Sequence, residues 1–128
     1  MDLATMIDRA QAMQEAAMLD TVTVDVQTGE TLDEYGTAHP VWSRLYEGKG
    51  LVQARQVAST PADSVGRPVI VTAYTARLPL SVVIPEHRAA RLTVTASRDP
   101  ALLGVYTVAG VESQGLATAR RVMLERAT

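Results

Sequence analysis

The segment 91–125 most constrains the fold, because its residues alternate as a sheet requires and turn residues divide it into short pieces. Residues 91–96 alternate apolar and polar side chains, which is the period of a half-buried strand. Asp99-Pro100 favours a turn, residues 105–108 resume an extended pattern, and residues 119–125 alternate again. Three consecutive strands with short connections predict an antiparallel meander, which is a large part of a small barrel or sandwich.

Further β signals lie upstream of this meander. The valines of segment 21–26 alternate with polar residues, and β-branched residues suit a pleated sheet. The segment 68–77 has apolar residues on both faces, which is typical of a central strand. Two more strands are predicted at 41–46 and 51–55. A turn is predicted at 28–31, irregular structure at 32–40, a bulge or tight turn at 48–50, and an edge strand or turn at 78–85. We therefore expect a mainly β protein, a small antiparallel β-barrel of about six strands with an N-terminal α-helix.

Residues 2–19 have the periodicity of an amphipathic helix, and Asp2 is placed to cap its first turn. The apolar residues recur at three- and four-residue spacing and form one stripe: Leu3, Met6, Ile7, Ala10, Met13, Ala17 and Met18. Two interpretations stay open. The stripe can pack against the protein's own barrel, or the helix can pack against a neighbouring subunit, since methionines make an adaptable contact surface.

A single domain is expected, because 128 residues is a usual length for one compact domain. We divide it into a helix at 1–19 and a barrel at 20–128. The barrel contains a long polar loop at 56–67, and loops of this kind are usually functional or mobile. The alternative, an exposed hairpin loop with no role of its own, also stays open.

The residues predict no enzyme, no metal site and no cofactor. The two histidines, His39 and His87, lack a second ligand at the spacing that a metal-binding helix needs. There are no cysteines and no paired catalytic carboxylates or nucleophile motif. A net charge of −2 argues against tight binding of nucleic acid, although Tyr74 and Tyr106 lie on predicted strands, where bases could stack.

Neither a membrane span nor a secretory signal is predicted. No apolar run approaches the ~20 residues that a spanning helix needs. The first residues carry Asp2 and Asp8 in place of a basic region followed by an apolar stretch. We expect synthesis in the cytoplasm and no association with a membrane.

Three parts of the chain together resemble a known family. They are Asp33–Gly36 followed by Trp42, the segment Arg77–Leu80, and the segment Asp99–Arg121. In this order they resemble the small head–tail connector proteins of long-tailed bacteriophages, in particular the head-closure or stopper proteins of actinobacterial phages. The resemblance covers most of the chain.

The resemblance implies a structural virion protein made in the host cytoplasm. Such proteins are small β-barrels that form a ring, commonly of about twelve subunits, in the phage neck. The expected partners are other copies of the chain, the portal or adaptor ring, the tail terminator or tail tube, and packaged DNA, which the ring helps to retain. An adaptor or tail-terminator ring is the alternative within this class, and a small nucleic-acid-binding barrel is the alternative outside it.

Two sets of residues follow as candidates. The candidate channel-facing loop comprises Arg55, Gln56, Ser59, Asp63, Ser64 and Arg67. The candidate contacts with subunits or partners are Leu3, Met6, Ile7, Met13, Met18 and Trp42.

Overall fold

The computed structural model describes residues 2–59, 69–85, 87–112 and 119–127. One helix precedes six strands. The elements are α1 (Leu3–Ala16), β1 (Asp20–Leu32), β2 (Ala38–Ser59), β3 (Val69–Leu78), β4 (Ala90–Ala96), a short 3-10 helix (Pro100–Leu102), β5 (Gly104–Glu112) and β6 (Arg120–Arg126). Asp2 caps α1 as predicted, because its Oδ1 accepts a 2.7 Å hydrogen bond from the Thr5 amide.

Every strand pair in the described sheet is antiparallel. The strands follow the order β1-β2-β3-β6-β5-β4, and β4 pairs in turn with β1. The prediction of a mainly β protein with an N-terminal helix and about six antiparallel strands is confirmed at this level.

The core lies on one face of this sheet and follows the alternation in the sequence. Val22, Val24 and Val26 of β1 are buried, and the same period buries Leu92 and Val94 in β4. The other buried apolar residues of this cluster are Val52, Ala76, Leu78, Val82, Ile84, Ala90, Tyr106, Val122 and Leu124. The core therefore consists mainly of β-branched and aliphatic side chains, with Tyr106 as its one fully buried aromatic ring among the described residues.

The connection from β3 to β4 contributes to this core without forming a strand. Val82 and Ile84 are buried, although the segment around them has no regular structure. The Arg120 guanidinium holds it in place by donating hydrogen bonds to the carbonyl oxygens of Leu80 and Val82, each 3.1 Å long. The prolines of 78–85 predict an edge strand or a turn in place of a central strand, and the structure has no strand from Pro79 to Pro85, whereas Leu78 still ends β3.

Two glycine-containing segments do not interrupt their strands as predicted. Residues 28–31 belong to β1, where a register shift between Gln27 and Gly29 takes the place of the predicted turn. Residues 48–50 lie inside β2, and a Cβ atom at Gly50 would come within 3.0 Å of the Val22 side chain and 3.1 Å of the Leu78 side chain. Glycine here therefore permits a close approach within the sheet and does not mark a turn.

Three further boundaries differ from the predictions. The irregular segment at 32–40 contracts to residues 33–37, because β1 extends to Leu32 and β2 begins at Ala38. The loop predicted at 56–67 begins later, since β2 pairs with β3 as far as Ser59, and the rest of that loop lies outside the described residues. The helix occupies less than the predicted 1–19 and ends at Ala16.

Candidate functional site

Strand β2 is unusually long and forms two projecting hairpins. It has 22 residues, whereas most strands have about 3–10. Its first part pairs with β1 beyond Val26, where the pairing of β1 with β4 stops. Its last part pairs with β3 ahead of Tyr74, where the pairing of β3 with β6 starts. We call residues 27–42 the acidic arm, and residues 53–59 with 69–73 the apolar arm.

The acidic arm has an ordered turn at its tip, built around Asp33. The Asp33 carboxylate accepts hydrogen bonds from the amides of Tyr35 and Thr37, both 2.9 Å, and pairs with His39 Nε2 at 2.8 Å. The hydrogen bond with His39, followed by that with Thr37, holds the pKa of the Asp33 carboxyl below its ordinary value. Gly36 adopts φ +79°, which a glycine accepts without steric cost. The tip presents Tyr35, which is 84% exposed.

An ion-pair network fixes the base of the acidic arm. Asp25 of β1 is buried and lies between two arginines on the neighbouring strands: Arg44 Nε at 2.8 Å and Arg91 Nε at 3.4 Å. The Arg91 guanidinium also lies 4.3 Å above the Trp42 ring, which is a cation–π contact worth roughly 0.5–2 kcal/mol. Three strands are therefore joined where the arm leaves the sheet.

Sequence reasoning missed this network. Asp25 is 19 positions from Arg44 and 66 positions from Arg91, so that no local spacing signals the contact. The one available signal was Asp25 itself, a charged residue inside the valine alternation of β1, between Val24 and Val26. Trp42, predicted as a partner contact, is half-buried beneath Arg91 in its own chain, and its contact with a partner stays a prediction.

The apolar arm carries exposed aliphatic side chains on both faces. Val57 and Val71 lie opposite each other in the ladder and are 42% and 46% exposed, whereas Ile70 on the other face is 68% exposed. The interpretation of 68–77 as a central strand is correct for residues 74–77, which pair with both β2 and β6, and wrong for residues 69–73, which pair with β2 alone among the described residues. The apolar residues on both faces reflect exposure to solvent here and not burial on two sides.

Three of the predicted channel-facing residues belong to the apolar arm. Arg55 and Gln56 are exposed on β2, and Ser59 is the last residue of that strand. Asp63, Ser64 and Arg67 lie outside the described residues.

Helix α1 turns its apolar side away from its own sheet. Leu3, Met6 and Met13 are 61%, 54% and 74% exposed, and none of the helical residues is buried. Half-buried positions lie on a different and mostly polar side: Ile7, Ala10, Gln11, Gln14 and Glu15. Lys49 Nζ reaches Glu15 Oε2 at 3.6 Å, so that the helix rests on β2 through a polar contact.

Of the predicted contact residues on the helix, Leu3, Met6 and Met13 are accessible, and Ile7 is half-buried. Met18 follows the helix and is only 5% exposed, so it packs within its own chain and is not available to a partner. The apolar stripe read from the sequence is thus divided between two environments.

Tyr74 and Tyr106 do not form a surface on which bases can stack. Their ring centroids lie 5.2 Å apart, and Tyr106 is fully buried, which raises the pKa of its hydroxyl. The Tyr106 hydroxyl donates to the Leu102 carbonyl at 2.8 Å. Arg126 covers the pair, with its guanidinium 5.9 Å and 5.5 Å from the two ring centroids. This cluster stabilises one end of the core.

Within the described residues, no group of three His, Asp or Glu side chains could hold a metal ion. His39 is engaged by Asp33. In the same part of the chain, no helix has the length and apolar content to cross a membrane.

The geometry defines the class of protein. It is a six-stranded antiparallel β protein with an N-terminal helix, and it exposes two hairpin arms and an apolar helix side. The chain belongs to DUF6093, a family of unknown function, whose profile matches residues 10–125. No curated protein and no solved structure matches the chain.

Proposed function

We propose that this protein is a structural component of the neck of a tailed bacteriophage, where it forms a head-closure ring between the portal or adaptor complex and the tail. The observation that carries the proposal is the exposed apolar surface. Leu3, Met6 and Met13 on the helix, and Val57, Val71 and Ile70 on the apolar arm, are left uncovered by the chain itself. Large exposed apolar patches mark sites of association with other proteins.

The fold supports the same proposal. The closed series of strand pairings is the pattern of a small β-barrel, which has no free edge in its body. The arms extend from opposite ends of β2, so a barrel of this shape has contact surfaces directed both ways. A ring subunit of the neck needs such surfaces, because it meets its lateral neighbours as well as the assemblies above and below it.

The segment that connects the two strands of the apolar arm in sequence is our candidate for the part that reaches the channel. Gln56 lies on the exposed stem, and Asp63, Ser64 and Arg67 belong to the connection beyond it. The net charge of −2 allows DNA to pass without being bound tightly, since affinity for DNA rises with the number of phosphates neutralised. The packing of Tyr74 against Tyr106 gives no support to the alternative of a nucleic-acid-binding barrel.

The test is cryo-electron microscopy of the neck of the phage particles whose genome encodes this chain. We expect a closed ring of this protein between the portal complex and the tail. A fully built neck with no density for the chain would refute the proposal. Density beside the portal, or at the tail tube, would instead identify an adaptor or a tail-terminator ring.

A matched genetic test uses a phage that lacks the gene. Loss of a head-closure ring should give heads that package DNA and then release it, and tails that remain unattached. Restoring the wild-type gene in trans should rescue both defects. Normal virions without the gene would contradict a structural role.

A further inference from the structure

A small cavity lies where the acidic arm leaves the sheet, beside the connection from β3 to β4. Its volume is about 170 Å³. That corresponds to about five or six water molecules, at ~30 Å³ each. Its apolar lining comes from Val26, Leu45 and Pro85. Pockets for drug-sized ligands measure about 300–1,000 Å³, so this cavity suits a small chemical group and not a nucleotide.

The polar lining of the cavity is cationic. It consists of the guanidinium groups of Arg44 and Arg88 and the hydroxyl groups of Thr28 and Ser43. A guanidinium group only donates hydrogen bonds, and a hydroxyl group can donate one. Among the described residues, no carboxylate side chain lines the cavity. The cavity is therefore suited to an anion.

The two arginines differ in the charges around them. Arg44 donates from Nε to Asp25 at 2.8 Å and from Nη1 to Glu47 at 3.0 Å, whereas its Nη2 takes part in neither contact. Asp25 also pairs with Arg91, so that two arginines and two carboxylates balance in this network. Arg88 has no ion pair or hydrogen bond with any described residue. Its positive charge is therefore left uncompensated at the cavity.

The elements that carry both arginines are held in place before any ligand binds. Arg44 is fixed through two of its nitrogens by the contacts above. The connection that carries Arg88 is anchored on both sides, because Ile84 is buried and the Ala89 carbonyl accepts a 2.9 Å hydrogen bond from the Gln27 amide. Binding to such a site loses less free energy to the ordering of side chains and loops.

We propose that this cavity binds a carboxylate group on a short aliphatic stem. The carboxylate lies between Arg44 and Arg88, where charge-assisted hydrogen bonds form, and the stem packs against Leu45 and Pro85. One uncompensated arginine matches one negative charge, and the apolar lining matches the stem, which a phosphate ion lacks. The group can belong to a free acid or to a glutamate side chain of another protein, because both present these atoms. The site does not depend on the proposed role in the neck.

Titration with butyrate, followed by nuclear magnetic resonance at constant ionic strength, tests the site. The backbone amides of Thr28 and Ser43 report binding in the isotopically labelled protein. Butyramide is the matched probe, since it has the same shape without the charge. We expect saturable shifts with butyrate and binding of butyramide that is weaker by about tenfold, because hydrogen bonds to a charged group are the stronger ones. Equal binding of the two probes, or no saturable shift with butyrate, would overturn the proposal.

An Arg88→Gln variant tests the residue that carries the uncompensated charge. It should weaken the binding of butyrate by about tenfold for the same reason. Arg98→Gln is the control, because Arg98 is also exposed and follows the end of β4 remote from Ala90. Circular dichroism should show both variants folded, since both side chains are exposed. Equal weakening in the two variants would mean that the arginines act through general charge and that no specific site exists.

A glutamate with both backbone ends capped distinguishes the two sources of the carboxylate. If it binds as tightly as butyrate, the cavity accepts a side chain of another protein. If butyrate alone binds, the cavity takes a free acid. Both results support a carboxylate site. The neck reconstruction reports on the proposed function separately, so that failure of the butyrate titration leaves the proposed ring unaffected.

Discussion

The acidic arm and the apolar arm extend from opposite ends of the same strand, β2, but they differ in the contacts that stabilise them. The acidic arm is completed by its own chain, through the Asp33 turn at its tip and the Asp25 network at its base. The apolar arm presents Val57, Val71 and Ile70 to solvent. Both two-stranded ribbons expose large apolar side chains, including Leu32 of the acidic arm at 73%, but the acidic arm is also held by the polar contacts of Asp33 and Asp25.

Of the substitutions proposed here, replacing Asp25 should cause the largest loss of stability. An Asp25→Ala variant leaves Arg44 and Arg91 without their shared carboxylate and removes the tie between three strands. Breaking a fully buried pair costs about 3–5 kcal/mol, and these arginines are half exposed, so we expect a loss of about 2 kcal/mol in the free energy of unfolding. Urea denaturation measures it.

The control for this variant is Glu47→Ala. Glu47 also pairs with Arg44, at 3.0 Å, but its side chain is 66% exposed. Exposed pairs contribute about 0–1 kcal/mol, so the control should remain close to wild type. Equal losses in the two variants would mean that the base of the acidic arm is not held by Asp25.

Charging the apolar arm should weaken association without unfolding the chain. A Val71→Glu variant places a carboxylate among the exposed aliphatic side chains of this arm, which the proposed function assigns to contacts with other proteins. We expect self-association to weaken about tenfold or more, which corresponds to about 1.4 kcal/mol. Sedimentation measures the association, and thermal unfolding followed by circular dichroism should change little, because Val71 is already 46% exposed.

The matched variant on the acidic arm is Thr31→Glu, which adds the same charge to an exposed strand position. It should leave self-association unchanged. If the two variants weaken association equally, the effect is general repulsion, and the distinction between the arms fails.

A substitution at Gly36 tests how strongly the turn at the tip of the acidic arm requires a glycine at this position. A Gly36→Ala variant meets no atom within 4 Å, so its cost comes from the backbone at φ +79° alone. That cost is about 1 kcal/mol for a non-glycine residue. Gly29→Ala is the control, because it also has open space and no positive φ. Urea denaturation of the two variants should differ by about that amount, and identical curves would show that the turn relaxes freely.

The sequence was informative where burial follows one period and uninformative where contacts are remote. The alternation in 21–26 and 91–96 correctly predicted the buried residues Val22, Val24, Leu92 and Val94, because a half-buried strand leaves a local signature. The length of β2 could not be predicted, since Gly50 has the signature of a breaker until Val22 and Leu78 are known to lie against it.

The candidate surfaces were predictable in part. The helix stripe is visible in the sequence, but periodicity identifies an apolar side without saying what it faces. Here Met6 and Met13 point to solvent and Glu15 points to the sheet. The network of Asp25 with Arg44 and Arg91 depends on strand register, which one sequence does not contain.

The smallest predicted effect is acid opening of the turn that completes the acidic arm. The pKa of Asp33 is lowered below 3.8 because its carboxylate accepts hydrogen bonds from His39, Thr37 and Tyr35. A group whose pKa is lower in the folded state stabilises the fold above the ordinary value, and this contribution is lost as the pH falls through the lowered pKa. We therefore expect the turn to persist at pH 3.8 and to open only below it.

Nuclear magnetic resonance can follow this transition through the amides of Tyr35 and Thr37, because both donate hydrogen bonds directly to the Asp33 carboxylate. In wild-type protein both amide signals should move together with the Asp33 carboxyl carbon. In an Asp33→Asn variant the side-chain oxygen still accepts but no longer titrates, so the shared movement should disappear. If Asp33 titrates at its ordinary value, the turn is not held by its carboxylate, and the tip of the acidic arm is not stabilised in the way that the hydrogen bonds of Asp33 indicate.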